Sequence, residues 1–303
     1  DFISVRGAEG HDFVYANSFT DNRTYIIRIS DGAVVGSIAY GGSNSLRRMW
    51  LHTDDAGRFY VYTVNHSGDL WITDVTNPYA PELITFWNSP AGGVANMPGG
   101  SVYVQKDYAF VLTSSGNDAG YIYMLDIRNP YNPVLVDTLY DAAFGFNDIR
   151  LDGREIHVAA HDGWKMYIVD GWEMDAQISN WDTSNLVGQG VLESSATAQV
   201  KTQVISPGET ATYVVRVENK ADRRDRIQLS GVGFDAWDST YLVEGSDVTT
   251  AVLNGTYVTR YLDPGEYLYV TLEMRPKAEA MPGVVYDVPI DAFSWMSYGS
   301  GGV

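Results

Sequence analysis

The sequence predicts an all-β chain in two parts: an array of short four-stranded sheets, then a two-sheet sandwich. Three observations carry this. A turn frame, D-[VI]-x-N-P-Y-x-P-x-L, occurs twice, at 74–83 and 126–135. Short apolar runs recur around each copy in the same order. Beyond about residue 190 the pattern changes to longer alternating runs separated by Pro-Gly turns. The 303 residues suffice for about two domains. Aromatic residues reach 13 %, led by 21 tyrosines, a composition that suits strands.

The array comes first. In the turn frame, Asn-Pro and the second proline end one strand and set a turn before the next. Working outward, strand a falls at 2–5, 48–51, 101–104 and 147–150. Strand b falls at 13–15, 59–62, 108–111 and 155–158, and strand c at 25–29, 70–73, 121–125 and 166–169. Strand d falls at 34–38, 82–86 and 134–138, and the fourth unit shows no clear strand d. Strands every ~8–12 residues, in units of about 45, fit the four-stranded blades of a β-propeller. A unit this small cannot bury both faces alone, so it stacks on its neighbours. Four units either close as a small ring or form the tail of a larger one.

The Tyr-Ile-Val-Asp170 and Met-Leu-Asp126 strand ends, with the Asn-Pro-x-x-Pro turns, resemble those of LVIVD-repeat propellers. The resemblance covers residues 1–175 and implies an extracellular or periplasmic protein. Units one and four depart from it, with Ser30-Asp-Gly32 and Asp170-Gly-Trp172 in place of the proline turn.

Residues 176–192 read as a linker, 193–297 as the second domain and 298–303 as a flexible tail. The stretch 198–204 alternates, and 212–218 and 267–273 read as strands. Ser206-Pro-Gly-Glu209 and Asp263-Pro-Gly-Glu266 are turns in which glycine supplies a positive φ. About seven strands in about 110 residues indicate an immunoglobulin-like β-sandwich, here without a disulfide, and Trp237 is placed as a core plug. The pieces 207–213, Val-Glu-Asn219, 247–252, Leu262-Asp-Pro-Gly265 and 282–286 resemble the Ig-like, CARDB-like accessory modules of bacterial and archaeal surface proteins. That resemblance implies spacing, anchoring or self-association.

The formal charge of −18 argues against nucleic acid, which needs clustered Lys and Arg, and against an anionic lipid surface. The absence of cysteine excludes disulfides, thiol catalysis and thiolate zinc sites. No apolar run approaches the ~20 residues of a transmembrane segment. The chain starts at Asp1 without a leader, and we read it as a processed form or a fragment. Sequons at Asn22, Asn65 and Asn254 sit in or beside turns and are candidate glycosylation sites. These features place the expected location outside the cell or at its surface, with the periplasm as an alternative.

Catalytic motifs are missing: there is no nucleophile elbow, P-loop or Rossmann glycine pattern. His157 and His161 sit four apart on a strand, ~13 Å from one another and too far to share an ion. The b–c turns and d–a loops of such blades open on one rim. That rim collects Asp21, Arg47, His66, Asp69, Asp118, Asp148, His161 and Asp162 as ligand candidates. Its oxygen-rich character would suit Ca²⁺, although no D-x-D-x-D-G loop occurs. Tight turns alone also call for Asp, Asn and Gly. Arg223, Arg224 and Arg226 form the one basic knot, read as a solvated turn or as an assembly contact. The leading expectation is a surface structural or interaction protein whose partners are other copies, other surface proteins, a glycan or a small ligand. An enzyme or sensor acting at the rim instead requires Asp69, Asp118, Asp162 and His66 or His161 around one cavity, within ~8 Å. A third reading is a fragment of a larger surface protein.

Overall fold

Runs of β-branched and aromatic residues, broken by Gly, Pro and Asn, form strands in both halves of the chain. The computed structural model describes residues 2–7, 12–41, 46–90, 100–114, 119–142, 145–152, 155–160, 163–169, 173–189 and 199–296. It divides into Asp1–Ile168 and Val169–Val303.

In the first unit, β1 (Phe2–Gly7), β2 (Phe13–Ser18), β3 (Arg23–Arg28) and β4 (Val34–Ala39) form one antiparallel sheet. The second sheet is β5 (Leu46–Thr53), β6 (Phe59–Asn65), β7 (Leu70–Asp74) and β8 (Glu82–Trp87). The third is β9 (Gly100–Gln105), β10 (Tyr108–Ser114), β11 (Gly120–Asp126) and β12 (Val134–Asp141). The fourth has three strands, β13 (Phe146–Asp152), β14 (Glu155–Ala160) and β15 (Gly163–Ile168). Each sheet is a meander in chain order. The repeat extends to its irregularities: the c–d register slips between Ile26 and Ile27, Ile72 and Thr73, and Met124 and Leu125. Those bulges make Gly36, Thr85 and Asp137 equivalent positions.

Stacking follows from the same period. Tyr15, Ile26 and Ile38 of sheet one share a core with Met49, Val61 and Trp71 of sheet two. Tyr62 and Ile72 of sheet two then meet Val102, Val111 and Tyr123 of sheet three. The first strands of consecutive sheets neighbour one another, β1 by β5, β5 by β9 and β9 by β13, and no neighbouring of similar extent joins β13 to β1. This is a propeller-like succession with two open ends among the described residues.

The Asn-Pro-Tyr turns clasp one sheet to the one before. A Cβ on Gly36 of β4 would lie 2.4 Å from the Pro78 carbonyl oxygen, so the turn at 77–81 rests on bare backbone. Tyr79 of that turn meets Phe13 edge-on at 5.9 Å, and its hydroxyl accepts from Arg28 at 3.3 Å. The second turn repeats the contact, the Tyr131 carbonyl accepting from the Thr85 hydroxyl at 3.3 Å.

The second unit contains β16 (Met174–Asn180), β17 (Ala211–Asn219), β18 (Ile227–Gly231), β19 (Trp237–Val243), β20 (Ser246–Asp247), α1 (Thr249–Leu253), β21 (Tyr257–Val258), β22 (Tyr267–Pro276) and β23 (Ile290–Ser294). One sheet runs β16-β17-β22-β19-β20 and the other β21-β18-β23. Val215, Val217, Leu268 and Val270 of the first and Ile227 and Leu229 of the second share one core. Gly208 and Gly265 adopt φ of 93° and 78° in the two Pro-Gly turns. The Asn219 side chain joins two of the motifs singled out above: its amide donates to the Arg223 and Leu262 carbonyls at 2.9 and 2.8 Å.

Three expectations need correction. Residues 176–180 are not linker but the end of β16, which pairs along its length with β17. The alternating stretch at 198–204 forms no strand over its described residues 199–204. There, side-chain amides replace the ladder: Gln199 donates to the Ala176 carbonyl and Gln203 bonds Thr212. Trp237 is half-buried and packs against the core without plugging it. Among the described residues no helix is long and apolar enough to cross a membrane.

Candidate functional site

The starts of the a strands and the ends of the b strands share one rim of the first unit. Three sheets contribute to a polar cluster there. Arg48 of β5 reaches Asp148 of β13 at 4.0 Å, so sheets two and four meet across the mouth. The Ser101 hydroxyl of β9 donates to the same carboxylate at 2.7 Å. Arg48 and Asp148 each leave nearly half of the side chain exposed.

Beside this pair, Arg47 turns the other way. Its Nε and one terminal nitrogen both lie 3.1 Å from His66 Nδ1. A guanidinium only donates, so Nδ1 accepts and the ring proton resides on Nε2. The Phe19 ring lies under the Arg47 guanidinium at 5.7 Å and meets the His66 ring edge-on at 6.2 Å. Burial, followed by the charge of Arg48, lowers the pKa of Arg47. Opposite charges held at half exposure beside a guanidinium–aromatic stack suit the orienting of a polar ligand better than the activation of a nucleophile.

The remaining rim candidates separate. Asp69 turns inward: it accepts from the Asn65 amide at 2.9 Å and from the Ser89 backbone N–H at 3.0 Å. It therefore holds its own turn. Asp21 accepts from Ser18 at 3.1 Å and Tyr25 at 2.9 Å within its own sheet, and the Tyr25 bond first and the Ser18 bond second lower its pKa. Asp118, His161 and Asp162 lie outside the described residues. Among the described residues no three His, Asp or Glu side chains gather to hold a metal.

The other candidates divide by exposure. Asn65 is 1 % exposed and its amide is committed to Asp69, which removes it as a glycan acceptor. The Asn22 amide donates to the Tyr40 carbonyl at 2.8 Å. Asn254, at the C-terminus of α1, is exposed. The basic knot is engaged inside its own unit. Arg223 pairs with Asp222 at 2.7 Å, and Arg224 pairs with Asp263 at 3.4 Å. Arg226 donates to the Thr259 carbonyl at 2.9 Å, and Arg224 and Arg226 both lie over the Tyr261 ring. These bonds favour a fixed turn over an assembly contact.

Sequence reasoning missed Arg48, Ser101 and Phe19. The available signal was the Arg47-Arg48 pair at a strand start, where successive side chains point to opposite faces.

No family model matches the sequence, and no curated protein does. Solved structures with partial likeness include the β-propeller domain of Myceliophteria thermophila Cps50 (Swd1), at 12 % identity and a TM-score of 0.44, covering 55 % of this chain and 54 % of that one. Another is the computationally designed Ika8 protein, at 9 % identity and a TM-score of 0.42, covering 55 % and 46 %. A third is Kluyvelomyces marxianus Hsv2, at 11 % identity and a TM-score of 0.38, covering 55 % and 48 %. This chain thus spans about half the length of each. None of the three speaks to what this chain binds.

Proposed function

We propose that the chain is an interaction protein of the extracellular or cell-surface space, with the propeller-like array as binding scaffold and the second unit as an immunoglobulin-like spacer. The Arg48–Ser101–Asp148 cluster supports this reading most directly, because three sheets converge to hold exposed charge at one mouth. The LVIVD-like strand ends and the accessory-module motifs add the location. One half-exposed guanidinium beside a half-exposed carboxylate favours a ligand carrying both carboxylate and hydroxyl groups, as an acidic glycan or an acidic surface peptide does.

The test is binding of the purified chain to arrays of uronic-acid and sialic-acid glycans and of acidic peptides, alongside an Arg48→Ala/Asp148→Ala variant. A hit that weakens by about tenfold or more in the variant, the equivalent of ~1.4 kcal/mol, supports the reading. Hits that the variant retains in full, or no hits on any array, overturn it.

A further inference from the structure

We propose that the rim carries an acid-sensitive latch: protonation of His66 releases Arg47 and unseats the Arg48–Ser101–Asp148 cluster, so an acidic ligand held at neutral pH is let go in mild acid. The inference rests on the binding role proposed for that cluster and adds its regulation. It starts from the bond to His66. Arg47 Nε and a terminal nitrogen both lie 3.1 Å from Nδ1. A guanidinium has donors alone, so this contact requires an unprotonated Nδ1. A proton there sets donor against donor and charge beside charge. Histidine is the side chain whose ordinary titration makes this change between neutral and mildly acid pH.

The charges around the latch favour release. Burial first, and the charge of Arg48 second, already disfavour the charge on Arg47, and a partly buried pair is poorly screened by solvent. The carboxylates of the two b–c turns are engaged by their own sheets. Asp69 accepts from Asn65 and Ser89, and Asp21 from Ser18 and Tyr25. The contact from β9 is Gly100, which carries no charge.

What yields is Arg47 and not the turn that carries His66. Asn65 Oδ1 accepts from the Ser67 and Asp69 N–H groups, both at 2.9 Å. Gly68, at φ 77°, rests on β10, where a Cβ would stand 2.7 Å from Thr113 Cβ. Arg47 and Arg48 fall instead in the irregularity of the β5–β6 ladder, between the pairs Leu46–Asn65 and Met49–Thr63. A bulge leaves its extra residue outside the ladder, so side-chain contacts fix its position.

Release reaches the cluster through two neighbours. Arg48 is the next residue in the chain. Gly100, where a Cβ would lie 3.5 Å from Arg47 Cβ, immediately precedes Ser101. Arg47 therefore sits one step from both side chains that engage Asp148.

The experiment follows the His66 ring and the Ser101 amide by NMR of the whole labelled chain between pH ~8 and ~5, with Arg47→Gln and His66→Gln variants. Circular dichroism checks that both variants are folded. In the wild type the two signals are expected to share one titration. In Arg47→Gln, His66 is expected to take up its proton at a pH higher by about half a unit or more, with Ser101 no longer following. His66→Gln keeps a neutral acceptor for Arg47 and is expected to leave Ser101 flat. Binding of a uronic-acid oligosaccharide should be weaker at pH ~5.5 than at ~7.5 by about fivefold or more in the wild type and unchanged in His66→Gln. A His66 that titrates alike with and without Arg47 overturns the latch, as does a wild-type Ser101 amide that ignores it. Equal binding at the two pH values overturns it too. Coupled titrations with no binding at either pH keep the latch and overturn the binding role of the cluster.

Discussion

Gly36→Ala tests the idea that the Asn-Pro-Tyr turn works as a clasp. The new methyl group would stand 2.4 Å from the Pro78 carbonyl oxygen, a backbone atom that cannot rotate away, and 3.4 Å from Ile26 Cδ1 and Pro81 Cδ. Relief requires the turn to lift from β4. Overpacking of this kind costs about 1–3 kcal/mol. Lifting also opens the edge contact between Tyr79 and Phe13, an interaction type worth about 0.5–1.5 kcal/mol. Alanine returns roughly 0.5–1 kcal/mol by stiffening the unfolded chain and favouring the strand. The net expectation is a loss of about 1–3 kcal/mol, read as a lower denaturant midpoint of the first unit. The repeat supplies its own controls. Thr85→Ala at the equivalent position removes one exposed hydroxyl bond and should cost under about 1 kcal/mol. Asp137→Ala, where no proline turn follows in the sequence, should be nearly neutral. If Gly36→Ala melts with the wild type, or if the three substitutions cost the same, the clasp is not what fixes β4.

Two further outcomes follow from buried polar groups. Burial pushes the Tyr241 phenol up to about 12, against an ordinary value near 10. A raised acid keeps its full contribution below pH ~10 and loses it as pH climbs through about 12, so the second unit should lose about 2 kcal/mol over that interval. Tyr241→Phe, which gives up the 2.9 Å bond to the Val232 carbonyl, should be less stable near neutrality by about 1 kcal/mol and show a flatter alkaline profile, measured by unfolding midpoint against pH. In the b–c turn of sheet two, Asn65→Ala takes the Asn65 acceptor from the Ser67 and Asp69 N–H groups and one of the two donors from the Asp69 carboxylate, and should cost about 1–3 kcal/mol. Expressed in a glycosylating host, the wild type should carry its glycan at Asn254 and none at Asn65, as peptide mass spectrometry would show.

The strand order of the array was legible because the Asn-Pro-Tyr-x-Pro frame leaves the backbone few choices, and because hydrophobic runs recur at a fixed distance from it. The clasp was not legible. Gly36 looks like any glycine in a strand, and only the folded register shows that a proline turn needs the space above it. β16 was hidden for a different reason. Its polar, half-buried alternation lies next to the Trp181-Asp-Thr-Ser184 turn, and composition made the whole stretch read as linker. The 198–204 stretch failed in the opposite sense: its alternation is real, yet glutamine side chains occupy the backbone groups that a neighbouring strand would have used. At the rim, residue type pointed to Asp69 and His66 alike, but burial assigns Asp69 to its own turn and leaves the charge to Arg48 and Asp148. The sequon at Asn65 is the same lesson, since a three-residue pattern carries no information on burial.

Sheet three offers the sharpest test of how the outer strands are held. β4 and β8 are each overlain by the proline turn of the next sheet, whereas the fourth unit carries Asp170-Gly-Trp172 at that point of the sequence. β12 is correspondingly open, with Val134, Leu135, Val136 and Tyr140 all exposed. Its ladder to β11 has seven residue pairs against five for β8 to β7, so backbone pairing alone predicts at least equal protection. If the clasp sets local stability, β12 opens at lower free energy, since few buried contacts resist it. Amide hydrogen exchange should then be faster in β12 than in β8 by tenfold or more, the equivalent of ~1.4 kcal/mol. Equal exchange in the two strands would mean that pairing within the sheet, not the turn from the neighbouring sheet, holds the outer edge of the array.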